Sequence, residues 1–285
     1  MQISTPTDIL TQLEAGADLA ISISGGKDSH AMLSALTRAH AENAWTGRLF
    51  AIHSDLGRME WTETSAFVAE LCERYDIELV VVNRTKGDLV SRMQDRLEQL
   101  QGQDKPFWPS SAARYCTSDL KRDPIDKYLR TLEHVVIAIG IRREESTARS
   151  KKPDCAPRLR ITTQSRKAFD WHPLIDWTEE DVWNELGWTL EQVNGKRAEY
   201  LLAPAGAGEE DVAFIGWNCH PAYVYGNQRL SCALCILASK NDLENGARRH
   251  PELLETLVTM EEESGFSFKK DWSLTELDAY TGALI

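Results

Sequence analysis

Residues 19–29 read LAISISGGKDS, and this change from an apolar run to a pair of glycines decides the fold of the chain. The apolar residues 19–23 predict a buried strand, and the apolar positions after residue 28 recur with helical spacing. Two consecutive glycines allow positive φ and bring backbone N–H groups close to an oxyanion, while the helix amino terminus and Lys27 favour negative charge. The turn at residues 24–29 is therefore expected to bind a nucleotide polyphosphate.

A turn of this kind has two other interpretations. A P-loop of the Walker type needs a glycine five residues before Gly26, and Ile21 stands there, so the spacing excludes that class. A simple strand-to-helix turn, with Asp28 as the helix N-cap, is the structural alternative.

Strands and helices alternate along the first half of the chain. Further strands are predicted at residues 49–53, 77–82 and 135–139, with helices at residues 28–42, 60–75, 88–101 and 119–132. This alternation is typical of an α/β fold with a doubly wound, mostly parallel sheet that helices cover on both faces. Residues 151–157, rich in proline and charge, are expected to form a mobile loop.

Length and composition limit the classes of protein to which the chain can belong. The 285 residues, 42% of them hydrophobic, are enough for a full core, and neither a bilayer-spanning run nor a secretory signal is recognisable. We therefore expect a cytoplasmic protein without a membrane partner, made of an α/β domain at residues 1–203 and a mainly helical, cysteine-bearing segment at 204–285. The predicted boundary is the break at residues 203–208, which is rich in Ala, Gly and Pro.

Charge is unevenly distributed along the chain. The net charge of −12 argues against general affinity for nucleic acid, but residues 142–167 contain nine Lys or Arg against three acids. This stretch fits DNA phosphate, RNA phosphate or a small anionic substrate equally well, and a solvated loop is the structural alternative.

Ligands of a doubly wound sheet bind beyond the carboxyl ends of its strands. The second predicted strand brings Asp55 to that edge, where its carboxylate could hold Mg²⁺ or serve only as a turn residue. The fourth brings Gly140 and Arg142, with Arg149 close behind. Arginine forks match the oxygens of phosphate or sulfate, so this rim is expected to bind an oxyanion.

Cysteines form the second candidate site. A C-x-x-C pair at Cys232 and Cys235, together with Cys116 and Cys219, could give four thiolates to zinc or to an iron–sulfur cluster, although small core residues are the alternative. Cys155 lies in the predicted loop beside two lysines, which would expose the thiol and favour its thiolate. It is a candidate sulfur carrier.

The turn at residues 24–29 resembles the PP-loop of N-type ATP pyrophosphatases, which cleave ATP between the α and β phosphates. Three further segments resemble the phosphoadenosine phosphosulfate reductase superfamily: Cys116-Thr117 with Leu120-Lys121 and Pro124, Gly140-Ile141-Arg142 with Glu145-Ser146 and Arg149, and Pro173-Leu174-Ile175-Asp176-Trp177 with Asp181-Val182-Trp183. Residues 220–238 resemble the cluster-bearing branch of that superfamily, which includes the ATP pyrophosphatases of DNA phosphorothioate modification.

This resemblance implies an adenine nucleotide alpha hydrolase-like fold and an enzyme that cleaves ATP to AMP and pyrophosphate with Mg²⁺. It would activate an oxyanion, the DNA backbone phosphate, for sulfur insertion, with a cysteine desulfurase as sulfur donor and other DNA-modification proteins as partners. The implied nucleotide-binding residues are Ser24, Gly25, Gly26, Lys27, Asp28, Ser29, Gly140, Arg142 and Glu145, and the implied catalytic residues are Lys27, Asp55 and Arg142. The implied ligands of a 4Fe-4S cluster are Cys116, Cys219, Cys232 and Cys235.

Three alternative functions fit part of the same sequence pattern. Sulfonucleotide reductases generally have a degenerate loop and a catalytic cysteine near the carboxyl end, whereas here the loop is complete and no cysteine follows Cys235. A tRNA thiolation enzyme shares the loop, but no RNA-binding module is recognisable. A non-catalytic nucleotide-binding adaptor would keep the loop without turnover. The sequence leaves open the acceptor, the choice between iron–sulfur and zinc, and the oligomeric state.

Overall fold

The structure is a computed structural model that describes residues 2–202, 212–270 and 272–277. Its strands are β1 (Asp18–Ile23), β2 (Leu49–Asp55), β3 (Glu78–Asn83), β4 (His134–Ile139), β5 (Cys155–Pro157) and β6 (Lys167–Trp171). Its helices are α1 (Thr7–Glu14), α2 (Lys27–Glu42), α3 (Thr64–Arg74), α4 (Leu89–Leu100), α5 (Tyr115–Thr117), α6 (Asp123–Leu129), α7 (Thr147–Ser150), α8 (Glu179–Glu185), α9 (Leu190–Leu202), α10 (Lys240–Arg249) and α11 (Pro251–Ser264).

Within the described residues, six strands form one sheet in the order β3-β2-β1-β4-β6-β5. β1 pairs in parallel with β2 and β4, and β4 pairs in parallel with β6, whereas β5 pairs with β6 in the antiparallel direction. The predicted doubly wound, mostly parallel sheet is confirmed. The chain leaves β1 toward β2 and β3 and returns on the other side of β1 as β4, so the strand order reverses at β1. A crevice for ligands is expected at the carboxyl end of such a strand.

The chain gathers into two compact units, and the first comprises residues 1–54, 63–82 and 125–224. Its core contains the apolar strand residues that the sequence pattern predicts, including Ala20, Phe50 and Ile137, with Leu129 of α6 packed among them. These strands are apolar on both faces because helices cover the sheet on both sides. Helix α2 lies directly behind the glycine turn and contacts α8.

The second unit comprises residues 55–62, 83–124 and 225–285. Its longest described helices are α4 and α11. The buried carboxylate of Glu261 on α11 accepts the N–H groups of Phe268 and Leu274 at 2.5 and 2.7 Å. The indole Nε1 of Trp108 donates to the carbonyl of Phe266 at 2.7 Å. These bonds hold the segment after α11 against α11 itself and against the loop that contains Trp108.

Several predicted boundaries differ from the structure. The boundary at 203–204 lies outside the described residues and stays a prediction. The helix predicted at 119–132 is a π-type turn at Ser118–Arg122 followed by α6, and the helix predicted at 60–75 begins only at Thr64. The predicted helical character of the last segment is confirmed by α10 and α11. None of the described helices combines the length and apolar character needed to cross a membrane.

Candidate functional site

The glycine turn joins the end of β1 to the start of α2. Gly25 has φ of +76°, a left-handed conformation that favours glycine. Gly26 is the N-cap and α2 begins at Lys27, so the alternative in which Asp28 caps the helix is wrong. The Ser29 hydroxyl donates to the carbonyl of Gly26 at 2.9 Å and accepts the N–H of Ser24 at 3.2 Å. This pair of bonds closes the turn on itself.

The turn presents several unpaired backbone donors. The N–H groups of Gly25, Gly26, Asp28 and Ser29 have no hydrogen-bond acceptor among the residues that the structure describes. Unpaired N–H groups at a helix amino terminus carry the positive end of the helix dipole and bind anions. The turn therefore has the donors of a phosphate site.

Lys27 is held beside the turn by acidic and aromatic groups. Its side chain is only 3% exposed, and its ammonium lies 3.6 Å from Asp28 Oδ2 and 3.4 Å from Glu179 Oε1 on α8. The same ammonium lies 5.5 Å from the ring centre of Tyr223. Burial lowers the pKa of Lys27, but the Tyr223 hydroxyl and the two carboxylates outweigh it and raise the pKa overall. The lysine is therefore a fixed positive charge.

Arg142 is a second cation that contacts the carboxylate of Asp28. It follows the end of β4, and its Nε donates to Asp28 Oδ1 at 2.5 Å while its guanidinium also pairs with Glu144. The backbone N–H of Arg142 donates to Glu145 Oε2 at 2.8 Å, so Glu145 holds the segment in place. Burial lowers the pKa of Arg142, yet Asp28 and Glu144 raise it overall. Asp28 thus bridges both cations, as the predicted meeting of strand ends requires.

Gly140 is needed for this close approach. A Cβ at Gly140 would lie 3.2 Å from the carbonyl oxygen of Asp28 and 3.4 Å from the backbone nitrogen of Ser29. Only glycine lets the end of β4 pass so close to the first turn of α2 without displacement. The role of Gly140 in the structure is therefore to set the spacing between Arg142 and the glycine turn.

Asp55 is the last residue of β2 and belongs to the second unit. Its carboxylate Oδ1 accepts the N–H of Gly57 at 2.7 Å, which is the bonding expected of a turn residue. This observation supports the structural alternative for Asp55. Its catalytic role and a bond to Mg²⁺ stay predictions.

The four predicted cluster ligands are divided between the units. Cys116, Cys232 and Cys235 belong to the second unit and Cys219 to the first. Burial raises the pKa of Cys232 to about 12, Lys121 opposes this, and Cys235 and Cys116 add to it, so the three thiols lie within electrostatic range of one another.

Cys219 has different surroundings from the other three cysteines. It is 3% exposed, and burial raises the pKa of its thiol to about 12 against the opposing charge of Arg74. In the part of the chain that the structure describes, no three His, Cys, Asp or Glu side chains are arranged to hold a metal ion, and every described cysteine is a free thiol. Thiols fit the chemistry of an iron–sulfur or zinc site, but the ligand geometry is not formed here.

Cys155 does not lie in a loop. It begins β5 and pairs with Trp171 of β6, and burial together with the charges of Asp8 and Asp154 raises the pKa of its thiol. The expectation of a loop thiol with a favoured thiolate is therefore wrong, because Cys155 is half-buried in a paired strand and the charges of Asp8 and Asp154, rather than those of lysines, act on its thiol.

Most positive charge at residues 142–167 is already paired. Arg158 lies 2.7 Å from Asp126 and Arg160 lies 3.0 Å from the same carboxylate. The other arginines are similarly bound: Arg142 to Asp28 and Glu144, Arg143 to Asp154 and Asp176, Arg149 to Glu145, and Arg166 to backbone carbonyls. Lys151, Lys152 and Lys167 are exposed. The stretch therefore offers an outside partner much less charge than its composition indicates.

Two residues that contact Lys27, Glu179 and Tyr223, were not among the predicted site residues. Glu179 opens α8, and Tyr223 ends a short 3₁₀ turn at Pro221–Tyr223. Tyr223 is buried and its hydroxyl accepts the backbone N–H of Lys27 at 2.8 Å. The acid-rich start of α8 and the proline before Tyr223 were visible as turn signals, but their contact with Lys27 depends on tertiary packing.

Comparison with known proteins agrees with this geometry. A family model described as the phosphoadenosine phosphosulfate reductase domain matches residues 18–192, which is more than half of the chain. The chain belongs to the phosphoadenosine phosphosulfate reductase domain family. The matched range includes the glycine turn, Gly140, Arg142 and the start of α8. The family match therefore covers the turn and both of its cations, Lys27 and Arg142.

Two relatives are similar over much of the chain. An uncharacterized protein of Methanocaldococcus jannaschii is 27% identical over 258 residues, covering 86% of this chain and 48% of the relative. An uncharacterized 37.8 kDa protein from the gpa 5′ region of Escherichia phage 186 is 26% identical over 212 residues, covering 67% and 53%. The chain thus spans about half the length of the curated relatives it matches.

Two solved structures are distantly similar. One is the Candida glabrata FMN adenylyltransferase in complex with FMN and the ATP analogue AMPCPP, with a TM-score of 0.38, 16% identity, and coverage of 63% of this chain and 52% of that chain. The other is the U34-tRNA thiolase NcsA from Methanococcus maripaludis with its 4Fe-4S cluster, with a TM-score of 0.44, 14% identity, and coverage of 98% and 75%. At these scores, neither adds an argument about the site.

Proposed function

We propose that this member of the phosphoadenosine phosphosulfate reductase domain family is an ATP pyrophosphatase, which cleaves ATP between its α and β phosphates. The observation that carries the proposal is the turn at residues 24–29. It combines unpaired N–H donors at a helix amino terminus with two fixed cations, Lys27 and Arg142. Such a site suits a polyphosphate better than a single carboxylate or sulfate, because it offers donors on several sides.

In the proposed reaction an acceptor oxyanion attacks the α-phosphorus and pyrophosphate leaves. The N–H groups of the turn hold the β and γ phosphates, and Lys27 and Arg142 meet the charge that develops on the phosphate oxygens. Catalysis then rests on positioning and charge neutralisation by groups already in place. The acceptor becomes adenylylated, and its oxygen becomes part of a good leaving group, AMP.

The proposed acceptor is the DNA backbone phosphate, and a sulfur nucleophile would then displace AMP to leave a phosphorothioate. A cysteine desulfurase is the proposed sulfur source, and other DNA-modification proteins are the proposed partners. This finer step is supported by the resemblance of residues 220–238 to the cluster-bearing branch. The basic stretch supports it less than its composition indicates, because six of its nine cations are paired internally.

Two cofactors belong to the proposal. Mg²⁺ would accompany the nucleotide, and carboxylate oxygens, the ligands that it prefers, surround the turn at Asp28, Glu144 and Glu179. A 4Fe-4S cluster is proposed for the four cysteines. Since the described residues do not form a metal-binding group, we assign no step of the reaction to the cluster.

The central claim is tested by incubating the protein with ATP, Mg²⁺ and a candidate acceptor and separating AMP from ADP. Release of pyrophosphate with AMP is expected, and Lys27→Ala should lower it by about 100-fold or more. Lys240→Ala, which removes an exposed lysine of α10, is the matched control and should keep the activity. Production of ADP, or no turnover with DNA, RNA or small oxyanions, would refute the proposal.

The acceptor is tested separately. The protein is combined with a cysteine desulfurase, cysteine, ATP and duplex DNA, and the digested DNA is examined by mass spectrometry for phosphorothioate dinucleotides. Their appearance, dependent on ATP and lost in Lys27→Ala, is expected. Thiolated RNA, or sulfite released from adenylyl sulfate, would instead identify one of the alternative functions and exclude DNA phosphorothioation.

A further inference from the structure

We propose that Tyr223 is a nucleotide-binding residue whose phenolic hydroxyl donates to a phosphate oxygen of the nucleotide held by the glycine turn. The inference rests on the proposed function, since it assumes a polyphosphate at residues 24–29. It adds to the proposed phosphate site a hydrogen-bond donor that lies outside residues 18–192, the range that the family model matches.

The evidence begins with the position of the hydroxyl. Tyr223 is 1% exposed, and its hydroxyl oxygen accepts the N–H of Lys27 at 2.8 Å. Lys27 is the first residue of α2, so this N–H is one of the donors of the helix amino terminus. The hydroxyl oxygen thus occupies the place of an anion oxygen at that donor.

The hydroxyl still has a proton to donate. A phenol keeps its proton at neutral pH and can both donate and accept. No acceptor for the Tyr223 proton is found among the residues that the structure describes, although the group is buried. Buried hydroxyls normally find an acceptor, so a missing one points to an absent ligand. A phosphate oxygen bound to the neighbouring N–H groups of the turn would supply it.

The surroundings of Tyr223 fix the side chain in this position. His220 caps its short 3₁₀ turn, since the ring Nδ1 of His220 accepts the N–H of Ala222 at 3.2 Å. The carbonyl of Tyr223 accepts from Arg197 Nε at 3.0 Å, and its ring stands edge-on to Trp183 with centres 5.2 Å apart. A rigid donor loses little freedom on binding, so the hydrogen bond to phosphate should contribute its full strength.

The test is Tyr223→Phe, which removes only the hydroxyl oxygen and its proton. Tyr115→Phe is the matched control: that tyrosine is also buried and its hydroxyl donates to the carbonyl of Phe107 at 2.8 Å, in the second unit. The dissociation constants of ATP and of adenosine are measured by calorimetry for each protein. Because a hydrogen bond to a charged acceptor is lost, we expect ATP to bind Tyr223→Phe about tenfold or more weakly. Adenosine affinity and the control variant should not change.

An unchanged ATP affinity in Tyr223→Phe would overturn the inference. A tighter affinity would also overturn it, because it would mean that the hydroxyl only competes with phosphate for the N–H of Lys27. A wild-type protein that does not bind ATP would instead refute the proposed function and this inference with it.

A second measurement does not depend on the stability of the variant. 3-Fluorotyrosine is placed at residue 223 of the full chain, and the fluorine resonance is followed during addition of ATP or adenosine. A shift with ATP alone is expected. An equal shift with both ligands, or none with saturating ATP, would contradict a hydrogen bond to phosphate.

Discussion

Mild acid is expected to destabilise the protein through His30, which lies on α2 directly after Ser29. The side chain is 1% exposed, its Nδ1 has no hydrogen-bond partner among the described residues, and its Nε2 lies 3.5 Å from the Tyr75 hydroxyl. Its ring meets that of Phe67 edge-on. Burial, aided by the charge of Arg74, lowers the pKa of His30 from 6.5 to about 4.

The sign of the effect follows from this direction. As the pH falls, the unfolded chain binds a proton at His30 before the folded protein does. The contribution of neutral His30 to the free energy of unfolding is therefore fully present above the unfolded pKa of 6.5 and is lost as the pH falls toward about 4. The pKa difference of about 2.5 units, from 6.5 to about 4, corresponds to about 3 kcal/mol at ~1.4 kcal/mol per unit. About 2 kcal/mol of this is lost by about pH 4.5.

The assay compares urea unfolding of wild type and His30→Leu at about pH 7 and about pH 4.5, followed by tryptophan fluorescence. Other groups also titrate, so the difference between the two proteins carries the result. Wild type should lose about 2 kcal/mol more than His30→Leu on acidification. His134→Gln, which changes an exposed histidine at the start of β4, should behave as wild type. Equal losses in wild type and His30→Leu would refute the reasoning.

Three further variants test the packing. Gly140→Ala places a Cβ 3.2 Å from the carbonyl oxygen of Asp28, so ATP turnover should fall about tenfold in a kinetic assay while thermal stability changes little. Asp88→Ala removes the N-cap of α4, whose carboxylate accepts the N–H of Ser91 at 2.9 Å, and should lower the free energy of unfolding in urea by about 1–2 kcal/mol; an unchanged value would contradict the cap. Gly246→Ala puts a Cβ 1.9 Å from the carbonyl oxygen of Ala233 and should cost about 2 kcal/mol or more, and a wild-type melting curve would contradict this contact.

The fold and the centre of the site could be predicted because local patterns determine them. Apolar runs that end at glycine or at a polar residue give the parallel strands, and parallel strands place their carboxyl ends at one edge. For that reason Gly140 and Arg142 were expected near the glycine turn, and the structure places Arg142 on Asp28.

Other features depend on tertiary contacts that no spacing records. The three-residue strand β5 includes a proline, so its sequence favours a loop, and its strand conformation accompanies pairing with residues 169–171 of β6. The pairing of Arg158 with Asp126 joins residues 32 positions apart, and a count of charges along the chain cannot reveal it. Cys219 belongs to the first unit and the other three cysteines to the second, and sequence spacing does not reveal the unit to which a residue belongs.

The balance of charge in the site explains which groups supply phosphate affinity. Asp28 contacts both Lys27 and Arg142, so each cation must exchange carboxylate for phosphate when a nucleotide binds, and the net electrostatic gain is smaller than the count of cations indicates. In return, both cations are ordered before binding, which removes the cost of reorganising them. The N–H groups of Gly25, Gly26 and Ser29 have no such partner to give up among the described residues. We infer that the backbone of the turn, more than its lysine, provides the affinity for phosphate, while the two cations fix its position for the reaction.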